Sequence, residues 1–284
     1  MAIFLSALQL LFGLVFRLPV SAALAAMYAV AWLIEQIVLL TPVKRMVRQN
    51  IELVLRRADS EQLAKRLLHN FSRSTLELLC VPYFNRRHLD KVVRINGLEN
   101  LPKNQGAILL TMHVGNYELS QVAIAALGFP VTIILRAAKD PLLALVNKSR
   151  AASGARLVNV LEEDMYQTSL NVLQQNNLVF ILGDTGALES RHEMLDFLGH
   201  RVPVATGWLT LAQRSKCPVV PILAHRENGV NVFTVFPQAA VTGENRAEVL
   251  RNFLRLSEDF IKEHPEEWGM FLNEYETKRM VTTN

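Results

Sequence analysis

His113 opens the run His113-Val-Gly-Asn-Tyr-Glu118, an imidazole with a carboxylate five residues on. Histidine works as a general base at neutral pH with little tuning. A carboxylate on its second ring nitrogen fixes the tautomer and favours the charged form. Glu118 is the nearest such carboxylate in sequence. Two more chemically capable groups share the setting. His113 follows the apolar run Ala107 to Met112, Arg136 follows Val131 to Leu135, and Asp184 follows Leu178 to Leu182. As parallel strands of one sheet, the three runs deliver imidazole, guanidinium and carboxylate to one carboxyl edge, where open α/β sheets bind ligands. The chain has no Gly-x-Ser-x-Gly elbow and no paired cysteines, so the expected nucleophile is a substrate hydroxyl that His113 deprotonates. No His, Cys or Asp cluster has ligand spacing, so neither a metal nor a cofactor is expected.

These residues need strands to carry them and helices to cover the strands. Gly115 and Asn116 supply turn and helix-start chemistry before an amphipathic stretch from Tyr117 to Leu127. Further strands are expected at Val92–Ile95, Arg156–Val160, Pro218–Ala224 and Val230–Phe236, the last after an Asn228-Gly229 turn. Helices are expected at Pro141–Ser153, Asp164–Gln175, Gly207–Ser215 and, as the final one, Arg246–His264. The alternation predicts an α/β fold with a mostly parallel central sheet covered by helices on both faces. Cys80 and Cys217 sit in apolar surroundings and read as small core residues in a reducing compartment.

The N-terminal stretch has a different character. Ala2 to Phe16 and Leu18 to Ile34 carry no charge, broken only by Arg17 and Pro19. With no Lys or Arg ahead of it, the stretch reads as a membrane anchor over residues 1–40 rather than a cleaved leader. Residues 41–284 then form the catalytic domain. From Thr41 to Arg94 twelve basic residues face five acidic ones, on helical spacing such as Leu63, Leu67, Leu68 and Phe71. Basic helices beside an apolar anchor suit an anionic membrane surface and hold that side in the cytoplasm. The bases are not interleaved with aromatics, so nucleic acid is not an expected partner.

The His113–Glu118 stretch resembles the His-x4-Glu/Asp motif of glycerolipid acyltransferases. It is most similar to the His-x-Gly-x-Trp/Tyr-Glu form of the lipid A biosynthesis (lauroyl/myristoyl) acyltransferases. The likeness continues through Arg17-Leu-Pro19, Arg48-Gln-Asn-Ile-Glu-Leu53, Asn70-Phe71, Asn96-Gly-Leu-Glu-Asn-Leu101, Arg136, Gly183-Asp-Thr-Gly186, Asp196-Phe-Leu-Gly199 and His264-Pro-Glu-Glu-Trp268. It implies transfer of a fatty acyl group from acyl carrier protein or CoA to a membrane lipid hydroxyl, at the cytoplasmic side of a bacterial inner membrane. His113 and Glu118 are then catalytic. Arg136, Asp184, Asn116 and Arg191 are expected to contact substrate, Arg136 aiding the oxyanion. The chain departs from the family at Met270-Phe-Leu-Asn-Glu-Tyr-Glu276, neutral to acidic where a basic run is usual. That departure opens the acceptor to a lysophospholipid, an ornithine lipid or another glycolipid. A catalytically silent lipid-binding protein is the reading outside enzymes.

Overall fold

The computed structural model describes residues 11–135, 141–159, 164–184 and 191–282. Helices come first, among them α1 (Val20–Leu39), α2 (Pro42–Leu55), α3 (Ser60–Cys80) and α4 (Arg86–Val92). Thr41 caps α2, with Pro42 at the first helical position, where a missing N–H costs nothing. The α/β part follows as β1 (Val93–Asn96), β2 (Ala107–Thr111), α5 (Tyr117–Ala126), β3 (Val131–Leu135), α6 (Pro141–Ala152), β4 (Arg156–Asn159), α7 (Met165–Gln174) and β5 (Leu178–Leu182). It continues through β6 (His192–Phe197), β7 (His200–Ala205), α8 (Gly207–Ser215), β8 (Val219–Glu227), β9 (Val230–Val235), α9 (Arg246–Glu263) and α10 (Glu274–Thr282).

Seven strands form one sheet in the order β1-β9-β8-β2-β5-β3-β4. Every pairing is parallel except β8 with β9, which Asn228 and Gly229 join as a tight hairpin, both at positive φ. The expected α/β sheet is therefore present. Two features depart from expectation. The His192–Phe197 and His200–Ala205 runs form a separate antiparallel hairpin, β6–β7, turned at Leu198-Gly199. Arg246–Glu263 is also not the last helix, because α10 follows it.

All five residues of β2 are buried, as in a strand covered on both faces. Alternate residues serve opposite cores. Ile108 and Leu110 pack with α2, the first half of α3, α8 and α9. Leu109 packs with α1, the end of α3 and α5.

One buried ion pair joins the helical layer to the sheet. Glu77 of α3 is fully buried and meets Arg226 of β8 through both guanidinium Nη atoms, at 2.8 and 2.9 Å. The same carboxylate accepts from Tyr28 of α1 (2.7 Å), from Asn116 (2.8 Å) and from Asn231 of β9 (2.9 Å). Burial opposes its charge, but Arg226 and the converging donors outweigh that and hold the Glu77 carboxyl below the usual range. Removing one partner of such a pair strands the other charge without a counter-ion, which costs about 3–5 kcal/mol. Glu77→Gln is expected to destabilise the protein on that scale in chemical unfolding. A loss under about 1 kcal/mol would mean the pair does not tie the layers together.

Candidate active site

His113 stands two residues past the end of β2, and Asp184 two residues past the end of β5. The strands are parallel neighbours with Thr111 opposite Leu182, so the two side chains leave the sheet in register. Asp184 Oδ1 lies 2.7 Å from His113 Nδ1, and Oδ2 accepts from the His113 backbone N–H at 2.9 Å. Trp268 Nε1–H donates to the same Oδ2 at 3.0 Å. The Asp184 side chain is 4% exposed, and its carboxylate is held by three donors.

Burial disfavours a charged His113. The Asp184 charge and hydrogen bond outweigh it, with smaller help from Glu118 and Glu276, and the pKa is raised. Burial likewise opposes ionised Asp184, yet His113 and the Trp268 donor leave its pKa lowered. With Nδ1 committed to Asp184, Nε2 is the nitrogen left for chemistry. The Tyr117 ring meets the imidazole edge-on, 4.9 Å between centroids, and restricts its rotation.

The loop carrying His113 is clamped by residues distant in sequence. Gly269 N–H donates to the His113 carbonyl at 2.6 Å, Gly115 N–H to the Glu267 carbonyl at 2.8 Å, and Val114 bridges to Trp268. Gly115 has φ +56°, and a Cβ there would sit 2.3 Å from the Ala224 carbonyl oxygen, so only glycine fits.

His113 and Tyr117 line a cavity of about 220 Å³ with Leu67, Phe71, Leu272 and Glu267. Leu67 and Phe71 give it an apolar wall. Glu267 Oε1 accepts from Asn70 Nδ2 (2.9 Å) and from the Arg226 backbone N–H (2.8 Å). Burial pushes the Glu267 carboxyl up to about 7, only partly offset by the Arg226 amide and charge.

The structure redistributes the residues expected from the sequence. Glu118 does not touch the His113 ring. Arg150 of α6 takes it in a two-pronged ion pair, Nε to Oε2 at 2.9 Å and Nη2 to Oε1. The ring partner is instead Asp184, expected to contact substrate. Asn116, also expected there, is buried. Its Oδ1 accepts from the Leu119 N–H at 3.1 Å, capping α5, and its Nδ2 donates to Glu77. Arg191 is exposed, and its carbonyl accepts from Thr206; it joins neither His113 nor Asp184. Arg136 lies outside the described residues. Sequence reasoning assigned no role to Trp268, Glu267, Arg150 or Glu77. For the first two a signal was present, since His264-Pro-Glu-Glu-Trp268 stood out as a shared motif.

Fold and site together define an α/β protein with a histidine–aspartate pair at the carboxyl edge of a parallel sheet. The family profile described as bacterial lipid A biosynthesis acyltransferase matches residues 2–277, nearly the whole chain. The chain belongs to this acyltransferase family, whose members need an acyl donor and a lipid acceptor. No curated protein sequence matches at a significant level. Among solved structures the chain is similar to the 1-acyl-sn-glycerophosphate (LPA) acyltransferase PlsC from Thermotoga maritima. The identity is 12%, the match covers 78% of this chain and 96% of that one, and the TM-score is 0.39.

The raised Glu267 pKa has a consequence for stability. Folded protein binds a proton that unfolded chain releases near the ordinary glutamate pKa. Stability contributed at low pH is therefore lost as pH rises from about 4.5 to about 7. Glu267→Gln keeps the Oε1 acceptor and removes the titration. It is expected to stabilise the protein at pH 8 by up to about 3 kcal/mol and to flatten the slope of stability against pH over that window, read by urea unfolding.

Proposed function

We propose that the protein transfers a fatty acyl group from a thioester, on acyl carrier protein or CoA, to a hydroxyl of a membrane lipid of the lipid A precursor type. The observation that carries this reading is His113. Its Nδ1 is fixed on a buried carboxylate, and it lines a cavity with an apolar wall, in a chain of an acyltransferase family. His113 Nε2 takes the proton from the acceptor hydroxyl as its oxygen attacks the thioester carbonyl. The tetrahedral intermediate collapses, the C–S bond breaks, and the departing sulfur receives that proton from the imidazolium. The products are an ester and a free thiol. Asp184 holds the tautomer and stabilises the imidazolium, the part expected of Glu118. Glu118 acts through charge and through Arg150, fixing α6 against α5. The Tyr117 and Glu118 amides that open α5 have no helical acceptor, while Leu119 is capped by Asn116, so those two are offered to the developing oxyanion, with Arg136 as a second donor. Leu67 and Phe71 offer the acyl chain its apolar surface.

The N-terminal segment is assigned to the cytoplasmic surface of a bacterial inner membrane. α1 is long and apolar enough to cross a bilayer. Its inner face (Ala23, Leu24, Met27, Ala31) is buried, and Tyr28 and Glu35 tie it to α3 through Glu77 and His69. Trp32, Leu33, Ile37 and Leu40 are exposed. A helix bound along its length to a charged neighbour favours lying in the interface, apolar face down, over spanning. The alternative acceptors, a lysophospholipid, an ornithine lipid or another glycolipid, draw support from Met270–Glu276. Met270 and Phe271 of that run are core residues, and its charges are acidic.

His113→Ala is expected to lower acyl transfer at least about a hundredfold in a folded protein, measured with both donors and a panel of lipid acceptors. Retained transfer refutes the assignment, and unchanged product from Glu118→Ala and His113→Ala alike favours the silent lipid binder. In wild type, kcat/KM rises with pH through the raised His113 pKa, above 6.5, because the base must be neutral. Asp184→Asn removes the largest charge holding that pKa up, so the midpoint moves to lower pH while the rate on the plateau falls. Replacing Trp32 and Ile37 together by Ser is expected to weaken binding to anionic vesicles at least tenfold, measured by co-sedimentation.

A further inference from the structure

A second cavity, of about 440 Å³, adjoins the one that holds His113, and Asn70 and Glu266 line both. Its remaining walls are Glu35 of α1, Lys65, Arg66, His69 and Arg73 of α3, and Arg226 beside Gly229. Four cations thus face two carboxylates, with the Glu77 charge lying behind Arg226. The carboxylates are already engaged. Glu35 Oε2 sits 2.8 Å from His69 Nδ1, and Glu266 is 3.9 Å from Arg66. Arg226 is spent on Glu77. Lys65 only shares Glu61 with Lys44 and Arg48, at 3.6 Å.

Arg73 differs from these. Its guanidinium lies over the Tyr28 ring, 3.9 Å from the centroid, and among the described residues no carboxylate pairs with it. Its Nε is buried without a hydrogen-bond acceptor. A cation half-withdrawn from water, fixed on an aromatic face and lacking a counter-ion, is poised for an anion from outside. A guanidinium matches phosphate oxygens best, through its planar fork of N–H donors. The location fits as well, because α1 supplies both a wall of this cavity and the exposed apolar face.

We infer that this cavity is a phosphate-binding subsite, where Arg73 holds a phosphate carried by one substrate while its reacting atom sits at His113, and Lys65, about two helical turns away on α3, adds positive charge to the approach. The inference rests on the acyl-transfer reading for its purpose. The phosphate is either a monoester on the acceptor lipid's head group or the phosphodiester on the donor's thiol-bearing arm. A cationic subsite on α3 also compensates for the acidic Met270–Glu276 run.

Two measurements on the full chain test it. The first is binding to phosphatidylcholine vesicles with and without phosphatidic acid, a phosphate-monoester lipid. Arg73→Gln is expected to lose at least tenfold of the phosphatidic-acid-dependent affinity. Arg86→Gln, the same charge loss on α4, is expected to change it less than twofold. The second is steady-state kinetics with a phosphorylated acceptor, its dephosphorylated twin, and both donors. Arg73→Gln is expected to raise one KM at least tenfold with kcat nearly unchanged. A rise confined to the phosphorylated acceptor assigns the phosphate to the acceptor, and a rise confined to the donor assigns it to the donor. Arg73→Lys is expected to restore part of the loss, and Lys65→Gln, exposed and safe to fold, to show a smaller loss in the same direction. Unchanged vesicle binding and unchanged KM values in Arg73→Gln and Lys65→Gln overturn the subsite. Wild type that transfers acyl groups independently of Arg73 sinks the subsite alone. Arg73-dependent phosphatidic acid binding without any transfer keeps the subsite and sinks the acylation reading.

Discussion

A carboxylate with no exposed surface, Glu77, sets the geometry of everything around it. A charge in that position survives only if every lone pair is used, because the cost of leaving water is repaid by a complete set of donors or not at all. Five hydrogen bonds from four residues provide the set. Their origins matter more than their sum. Tyr28 fixes α1 to α3, Asn116 fixes the start of the helix after His113, and Arg226 and Asn231 fix the β8–β9 hairpin. Arg226 in turn offers its backbone N–H to Glu267, which joins the loop between α9 and α10 to the same knot. The helix α1 and the His113 loop thus share one rigid reference.

The site built on that reference is dense in negative charge. Asp184, Glu118 and Glu267 gather at one edge of the sheet, and each has a different fate. Asp184 is held low by His113, Glu118 is gripped by Arg150, and Glu267 is pushed toward neutrality by burial. Environments that drive carboxylates apart in this way let one edge hold an orienting anion, a structural ion pair and a group that can donate a proton. The imidazole sits among them with Nδ1 bound to Asp184 and the residue lining the cavity.

Much of this was written plainly in the chain. Apolar runs such as Ala107–Met112 and Leu178–Leu182 announce buried strands, and the polar residues His113 and Asp184 past their ends do meet at one edge of the sheet. Which carboxylate meets the imidazole was not legible. Local spacing favoured Glu118, but that side chain sits on the first turn of α5 and is drawn to Arg150, a residue on another helix. Asp184 wins because β2 and β5 are neighbours in register, and strand order is a property of the whole sheet. The β6–β7 hairpin was missed for a related reason. Its mixed polar residues lack clean alternation, and it pairs with itself outside the main sheet. Asn116 read as a substrate contact because its type suits both binding and capping; the buried Glu77 decides between them.

The clamp formed by Glu267, Trp268 and Gly269 on the His113 loop carries a consequence for biogenesis. Translation runs from the amino end, so α1 is made before the strands of the sheet. The residues that seat the imidazole emerge much later. A nascent chain therefore lacks a settled His113 loop until that late segment docks. The geometry around His113 is thus set by the last part of the chain to be made, and a fragment ending before Glu267 lacks the clamp on the His113 loop.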